Sequence, residues 1–105
     1  VYIMPKAVRL GDMCTGHLCP PTGWWPSRES TGSSENVKIN DMYAHRVTDA
    51  WAEHCCGPSC HGSNLSDKEG TVFVNNLRLG KIGDAIDCGS TCDTGSPTVY
   101  VEGQF

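Results

Sequence analysis

The chain has 105 residues, of which 38% are hydrophobic, 19% are charged and 8% are aromatic. This length suits one domain with a modest core and is too short for two domains. Eight basic and twelve acidic residues give a net charge of −4, which argues against a surface that binds nucleic-acid phosphates. The sequence has no run of about 20 apolar residues, so it predicts no membrane-spanning helix.

The N-terminal residues lack the basic stretch and the long apolar stretch of a secretory signal. We expect Met4 to be the natural first residue and residues 1–3 to be additional. The sequence therefore predicts one domain over residues 4–105.

An internal repeat is the strongest feature of the chain. Residues 37–50 align without gaps on residues 72–85, a shift of 35 residues. Each copy opens with alternating apolar residues, which predict a short half-buried strand, and continues with Asn-Asp or Asn-Asn, which favours a tight turn. A second short strand is expected to end at Asp49 in one copy and at Asp84 in the other.

The two ends of the chain together supply a third copy of the unit. Residues 7–12 match the second half of the repeat, and residues 96–101 match the first half. No segment shows a convincing helical period. The sequence therefore predicts a small all-β domain in which three hairpin-like units with long loops surround an axis.

Each predicted unit closes with a basic residue followed three positions later by an aspartate. Ion pairing, or capping of loop N–H groups by the carboxylate, explains this pattern. Threefold repetition within one chain indicates architecture rather than a reaction centre. The pairs are Arg9 with Asp12, Arg46 with Asp49, and Lys81 with Asp84.

A soft metal ligand follows each of these aspartates at a nearly constant distance. His17 and His54 come five residues after their aspartates, and Cys88 comes four residues after its own. Rotation about one axis would bring these three side chains together. Tetrahedral Zn²⁺ needs a fourth ligand, for which His61 is the natural candidate.

The predicted site would cross-link the chain segments that meet at the apex of the fold, and its four ligands leave no position for an activated water. Its ligands are His17, His54, His61 and Cys88. Iron is an alternative ion for nitrogen and sulfur ligands. Three cysteines compete with His61 for the fourth position: Cys55, Cys56 and Cys60.

Several conspicuous residues outside the predicted metal site have structural interpretations. His45 aligns with Gly80 and is expected to be a solvent-facing loop residue. The adjacent indoles of Trp24 and Trp25 either fill a small core or anchor a partner. The other cysteines are expected to be packing residues, or a disulfide pair if oxidised: Cys14, Cys19 and Cys92.

Residues 5–12, Pro-Lys-Ala-Val-Arg-Leu-Gly-Asp, resemble the motif of the PAAR-repeat family. Looser copies of the motif stand at Tyr-Ala-His-Arg, residues 43–46, and at Leu-Gly-Lys, residues 79–81. Residues 95–101 are similar to the recurring strand of that family. The resemblance extends over residues 4–103, and the phage-type members look most similar.

The resemblance implies a conical structural protein, not an enzyme, which caps and sharpens the trimeric β-helical spike of a contractile injection machine. Such machines are phage tails and type VI secretion systems. One tip chain, itself a monomer, would cap each spike trimer and contact the target cell membrane transiently. The family's zinc ion, held near the point by three histidines and one cysteine, fits the four predicted ligands. The expected location is the virion tail or the secretion spike, after assembly in the bacterial cytoplasm.

Two other functions are compatible with the sequence. An extracellular binding module stapled by disulfides would explain the cysteine content. A zinc hydrolase would need a carboxylate base beside the metal, for which Glu53 is the close candidate.

Overall fold

The computed structural model describes residues 4–67 and 69–101, so the proposed additional residues 1–3 lie outside the described part. Over the described residues the protein contains strands and isolated bridges but no helix. Accordingly, no helix there is long and apolar enough to cross a membrane. The all-β prediction is confirmed.

In the part of the chain that the structure describes, four two-stranded antiparallel hairpins make up the regular structure. Two of them are the hairpins of the internal repeat, and the other two lie in the loops that follow the repeat units. The strands are β1 (His17–Cys19), β2 (Gly23–Trp25), β3 (Lys38–Ile39), β4 (Met42–Tyr43), β5 (Ala50–Cys56), β6 (Ser59–Asn64), β7 (Phe73–Val74) and β8 (Leu77–Arg78).

The repeat hairpins β3–β4 and β7–β8 turn where the Asn and Asp residues predicted. Asn40 and Asp41 have φ angles of 53° and 66°, and Asn75 and Asn76 have φ angles of 52° and 68°. Two consecutive left-handed residues form the turn that matches the twist of a hairpin, and Asn and Asp tolerate this conformation best.

The third unit is closed by the two ends of the chain, as the split repeat predicted. Lys6 forms an antiparallel bridge with Tyr100. One backbone hydrogen bond recurs at the same place in all three units: Ala7 N–H donates to Val99 O at 3.0 Å, Ala44 to Val37 at 2.9 Å, and Leu79 to Val72 at 2.9 Å.

A closed ring of three backbone hydrogen bonds joins the units at the centre of the fold. His45 N–H donates to Val8 O at 3.1 Å, Gly80 N–H to His45 O at 2.8 Å, and Val8 N–H to Gly80 O at 2.9 Å. Each unit thus donates to one neighbour and accepts from the other. Three bridges surround the ring in the same cyclic order: Arg9 with Ala44, Arg46 with Leu79, and Lys81 with Ala7.

The expectation that His45 faces solvent was wrong. His45 belongs to the central ring and is 0% exposed. Its Nδ1 lies 2.8 Å from Gly32 O, and its ring meets the edge of Trp51 at a centroid distance of 4.8 Å. The residue at this position is buried in every unit. The aligned Gly80 therefore indicated a close approach of its backbone to His45, not a surface loop.

The predicted ion pairs form in all three units. Each aspartate Oδ2 accepts a backbone N–H from its own basic residue, at 2.8, 2.9 and 3.0 Å along the chain. Arg9 and Arg46 bind their aspartates through Nε at 3.0 and 2.9 Å. Lys81 Nζ lies 2.7 Å from Asp84 Oδ1, with both side chains essentially unexposed. The pairs therefore pin the turn that ends each unit.

Among residues 4–67 and 69–101, the buried apolar side chains form two core clusters. The hairpins supply the first, formed by Ala7, Ala44, Val74, Leu79 and Val101. The second gathers residues from the ring and from the beginnings and ends of the loops: Val8, Cys14, Val47, Trp51, Leu65, Ile86 and Cys92.

Candidate metal centre

Three loops leave the units just after Asp12, Asp49 and Asp84. Each loop is closed at its base by an antiparallel bridge: Met13 with Glu29, Ala50 with Asn64, and Ala85 with Thr91. In each unit the chain passes from the hairpin through the central ring and then enters the loop.

The first loop contains the β1–β2 hairpin and presents His17 at the start of β1. His17 is paired with Trp25 across the two strands. The preceding Gly16 has a φ of 75°, and a Cβ atom there would lie 2.4 Å from Trp25 O. Only glycine fits this position without displacing the strand that faces His17.

The second loop is the β5–β6 hairpin and presents two histidines. His54 and His61 are direct partners in the antiparallel register. Directly opposed residues point to the same face of a sheet, so both imidazoles project to one side. His54 is buried and His61 is half-buried.

The third loop is a short turn that presents Cys88. Asp87 holds this turn against β6, since its N–H donates to Asn64 O at 3.1 Å and its Oδ1 accepts from Asn64 N–H at 3.0 Å. Gly89, with a φ of 107°, approaches the His17 ring. Cys88 is half-buried.

The structure brings all four predicted ligands together. One ligand atom from each of His17, His54, His61 and Cys88 lies within 4.8 Å of the others. His17 Nε2 is 3.3 Å from His54 Nε2 and 3.4 Å from His61 Nε2. Ligands about 2.05 Å from a tetrahedral zinc ion stand about 3.3 Å apart, so these two distances fit. The 2.6 Å between His54 Nε2 and His61 Nε2 is shorter, and these two rings would have to separate slightly to accept an ion.

A carbonyl oxygen sets the tautomer of His54. His54 Nδ1 lies 2.8 Å from Pro26 O, and a carbonyl can only accept. Nδ1 therefore carries the proton and Nε2 keeps a free lone pair directed at the other rings. This is the arrangement by which proteins orient a metal-binding imidazole.

The electrostatics of the cluster favour a neutral ring at His17. Burial lowers the pKa of His17, and repulsion from His54 and His61 lowers it further. Three imidazole rings converge here. A bound cation would satisfy their nitrogen lone pairs.

Trp25 forms one wall of the cluster, a contact that the sequence interpretation did not identify. Its ring stacks on His61 at 4.1 Å and on His17 at 5.6 Å, and it is tilted against His54 at 5.2 Å. Trp24 points the other way, 56% exposed. Neighbouring strand residues face opposite sides, so the two indoles have different roles, and only the pairing of β1 with β2 shows which is which.

The cysteines that competed with His61 are engaged elsewhere. Cys55 is joined to Cys60, and Cys19 to Cys56, with S–S distances of 2.03 and 2.02 Å. The expectation of Cys19 as a packing residue or a partner of Cys14 or Cys92 was therefore wrong. Glu53 groups with Cys55 and Cys60, whose sulfurs are bonded to each other and are not available as thiolates.

A scan against models of known protein families finds no match to this chain, and a search of curated proteins finds none either.

Proposed function

We propose that the protein is a PAAR-like spike tip, a structural cap that sharpens the trimeric β-helical spike of a contractile injection machine. The observation that carries this proposal is the ring of hydrogen bonds among Val8, His45 and Gly80. It makes a single chain nearly threefold symmetric.

The symmetry suits a trimeric partner. A β-helix wound from three identical chains ends in a threefold face with unpaired strand edges. One chain can match all three edges only by presenting three similar surfaces. The repeat units provide such surfaces, where strand-edge pairing and apolar contact would bind the spike. In two of the three units, apolar side chains are exposed: Val72 and Phe73 in one, and Val99 and Tyr100 in the other.

The metal centre would hold the opposite end together. His17, His54, His61 and Cys88 arise from three separate loops, and an ion bound to all of them would cross-link the loops. Three imidazoles and a thiolate are ligands typical of zinc, although iron accepts similar ligands. Such a cross-link would resist splaying of the loops while the tip carries a compressive load.

A structural role fits the site better than catalysis. Four protein ligands complete a tetrahedron and leave no position for a reacting water. Glu53, the carboxylate that hydrolysis would need, is exposed and groups with Cys55 and Cys60 rather than with the histidines. We therefore expect no enzymatic activity, a monomer in isolation, and a location in a phage tail or type VI secretion spike.

Two measurements on the native protein test the proposal. Metal analysis should find one zinc or iron ion per chain, and the chain should form a complex with its trimeric spike in a ratio of one to three. A variant with Val72→Lys and Phe73→Lys should keep its metal but lose spike binding, whereas His17→Ala should lose the metal. A metal-free native protein, or a chain that does not bind the spike, would contradict the proposal.

The two disulfides support a second candidate, an extracellular module stabilised by cross-links. Thermal unfolding with a chelator or with a reductant distinguishes the two proposed functions. A spike tip should be destabilised more by a chelator than by a reductant, and a disulfide-stabilised module should show the reverse order.

A further inference from the structure

The two disulfides use four of the seven cysteines and leave three unpaired. Cys88 belongs to the metal cluster. Two free thiols are left, Cys14 in the first loop and Cys92 at the end of the third loop, and both are buried.

These two cysteines are direct partners across an antiparallel bridge. The bonds beside them are donated by Thr15 N–H to Thr91 O at 2.9 Å and by Asp93 N–H to Met13 O at 2.9 Å. Because the flanking residues exchange the hydrogen bonds, Cys14 and Cys92 form a non-hydrogen-bonded pair. In such pairs the Cα atoms are about 4.5 Å apart and the side chains share one face. That spacing lies within the range that a disulfide spans.

The surroundings place both sulfurs in one apolar compartment. Cys14 and Cys92 are 3% and 2% exposed and belong to the same core cluster. Cys14 Sγ also accepts the N–H of Arg28 at 3.3 Å. A disulfide sulfur keeps its lone pairs, so joining the two residues does not require the loss of this contact.

We propose that Cys14 and Cys92 are a redox pair that closes into a third disulfide. An organic disulfide, such as oxidised glutathione, would supply the oxidising equivalents. The thiolate of one cysteine attacks the reagent and releases one thiol, and the other cysteine then attacks the mixed disulfide and releases a second thiol. Two cysteine thiols and one reagent disulfide become one protein disulfide and two reagent thiols.

Burial determines when this exchange takes place. It raises the pKa of the Cys92 thiol far above its ordinary value, and it leaves Cys14 and Cys92 only 3% and 2% exposed to a reagent in solution. Closure is therefore expected during folding, while the loops are still open to solvent.

The third disulfide would complete a pattern around the metal cluster. Cys19–Cys56 joins the loop of His17 to the strand of His54, and Cys55–Cys60 joins the strands of His54 and His61. Cys14–Cys92 would join the loop of His17 to the loop of Cys88. Every loop that bears a predicted ligand would then be covalently tied to another.

A count of thiols tests the inference independently of the spike-tip function. The protein is refolded with reduced and oxidised glutathione, treated with chelator in denaturant, and alkylated for mass measurement. Wild type should add one alkyl group, on Cys88, and Cys14→Ser should add two. If the pair stays reduced, wild type should add three and Cys14→Ser two. The substitution therefore raises the count in one case and lowers it in the other.

Peptide mapping identifies the linkage. A fragment that joins residue 14 to residue 92, and that is absent from Cys14→Ser and from Cys92→Ser, supports the proposal. Three alkylated cysteines in wild type at positions 14, 88 and 92 would overturn it, and so would a linkage of either residue to Cys88.

Discussion

His54 and His61 face each other across the β5–β6 hairpin with their Nε2 atoms 2.6 Å apart. Six residues of the chain, 55–60, separate the two histidines. The tight turn within this segment brings both side chains onto one face of the hairpin. The same pairing places Cys55 opposite Cys60, so the disulfide is the next rung of the ladder beside the histidine pair. A predicted ligand pair and a covalent cross-link are thus adjacent in one hairpin.

We predict that His61→Ala removes the metal. Loss of one of four ligands should weaken metal affinity by more than about 100-fold, because even changes beyond the direct ligands cost about 10- to 100-fold. Competition with a coloured chelator measures the affinity. The control is Ser59→Ala, an exposed residue on the same strand, which should bind metal as wild type does. Equal affinities for the two variants would exclude His61 as a ligand.

We predict that the two disulfides contribute unequally to stability. Cys19–Cys56 closes a separation of 37 residues and Cys55–Cys60 a separation of 5. Loop-closure entropy assigns roughly 4 kcal/mol to the first and roughly 2 kcal/mol to the second. Paired serine variants at each bridge, compared by denaturant unfolding with saturating metal, measure the difference. The opposite order would show that native-state contacts outweigh loop entropy at these bridges.

We predict that Thr48→Gly stabilises the fold. Thr48 has a φ of 80°, whereas the equivalent positions of the other units are Gly11 and Gly83 with φ angles of 90° and 93°. A β-branched residue is strained in this region, and the relief should exceed the entropy cost of glycine, for a net gain of about 1 kcal/mol.

Gly11→Ala is the matched opposite change. Its new Cβ would be strained by the positive φ and would lie 3.3 Å from Met42 Cε, so this variant should lose about 1 kcal/mol or more. Thermal unfolding of both variants measures the effects. A less stable Thr48→Gly would show that the threonine side chain makes contacts worth more than its strain.

We predict that His45 makes the fold less stable in mild acid. Burial lowers the pKa of His45 from its ordinary value of 6.5, so the folded protein keeps a neutral ring that the unfolded chain protonates near pH 6.5. The stabilising contribution is complete above that pH and is lost as the pH falls toward the folded pKa. The slope from this residue reaches at most about 1.4 kcal/mol per pH unit.

The His45→Asn variant isolates this effect. An asparagine amide can still donate to Gly32 O, the partner of His45 Nδ1, but it does not titrate. Unfolding free energies of the metal-free proteins from pH 8 to pH 5 should decline more steeply for wild type. The rest of the chain is the same in both proteins, so its contributions to the pH dependence cancel. Parallel curves would mean that His45 is accessible to protons in the fold.

We predict that Asp84→Asn is more damaging than Asp12→Asn. Lys81 and Asp84 are 0% and 1% exposed, whereas Arg9 and Asp12 are 11% and 7% exposed. Removing the carboxylate leaves a buried ammonium without its counter-charge, at a cost of about 3–5 kcal/mol. Burial raises the pKa of Asp84 to about 6, so denaturant unfolding is compared at pH 8, where this carboxylate is charged. Adding Lys81→Met to Asp84→Asn should recover part of the loss.

The repeat units were predictable because their signals are local. Asn-Asp and Asn-Asn specify a left-handed turn between short apolar runs, and the 35-residue shift repeats this signal in the two continuous units. The convergence of His17, His54 and Cys88 followed from equivalent positions in equivalent units, and His61 was added because tetrahedral zinc needs a fourth ligand. Metal binding by these residues stays a prediction.

The sequence by itself therefore determined the number of units, the turns, the ion pairs and the loop positions of the four candidate ligands, because each depends on residues close together in the chain. Only the tertiary structure decided that His45 lies on the axis, that Cys19 pairs with Cys56, and that Trp25 rather than Trp24 covers the histidines. Those outcomes depend on which faces of distant segments pack together. No local pattern encodes that choice, because burial is a property of the assembled core.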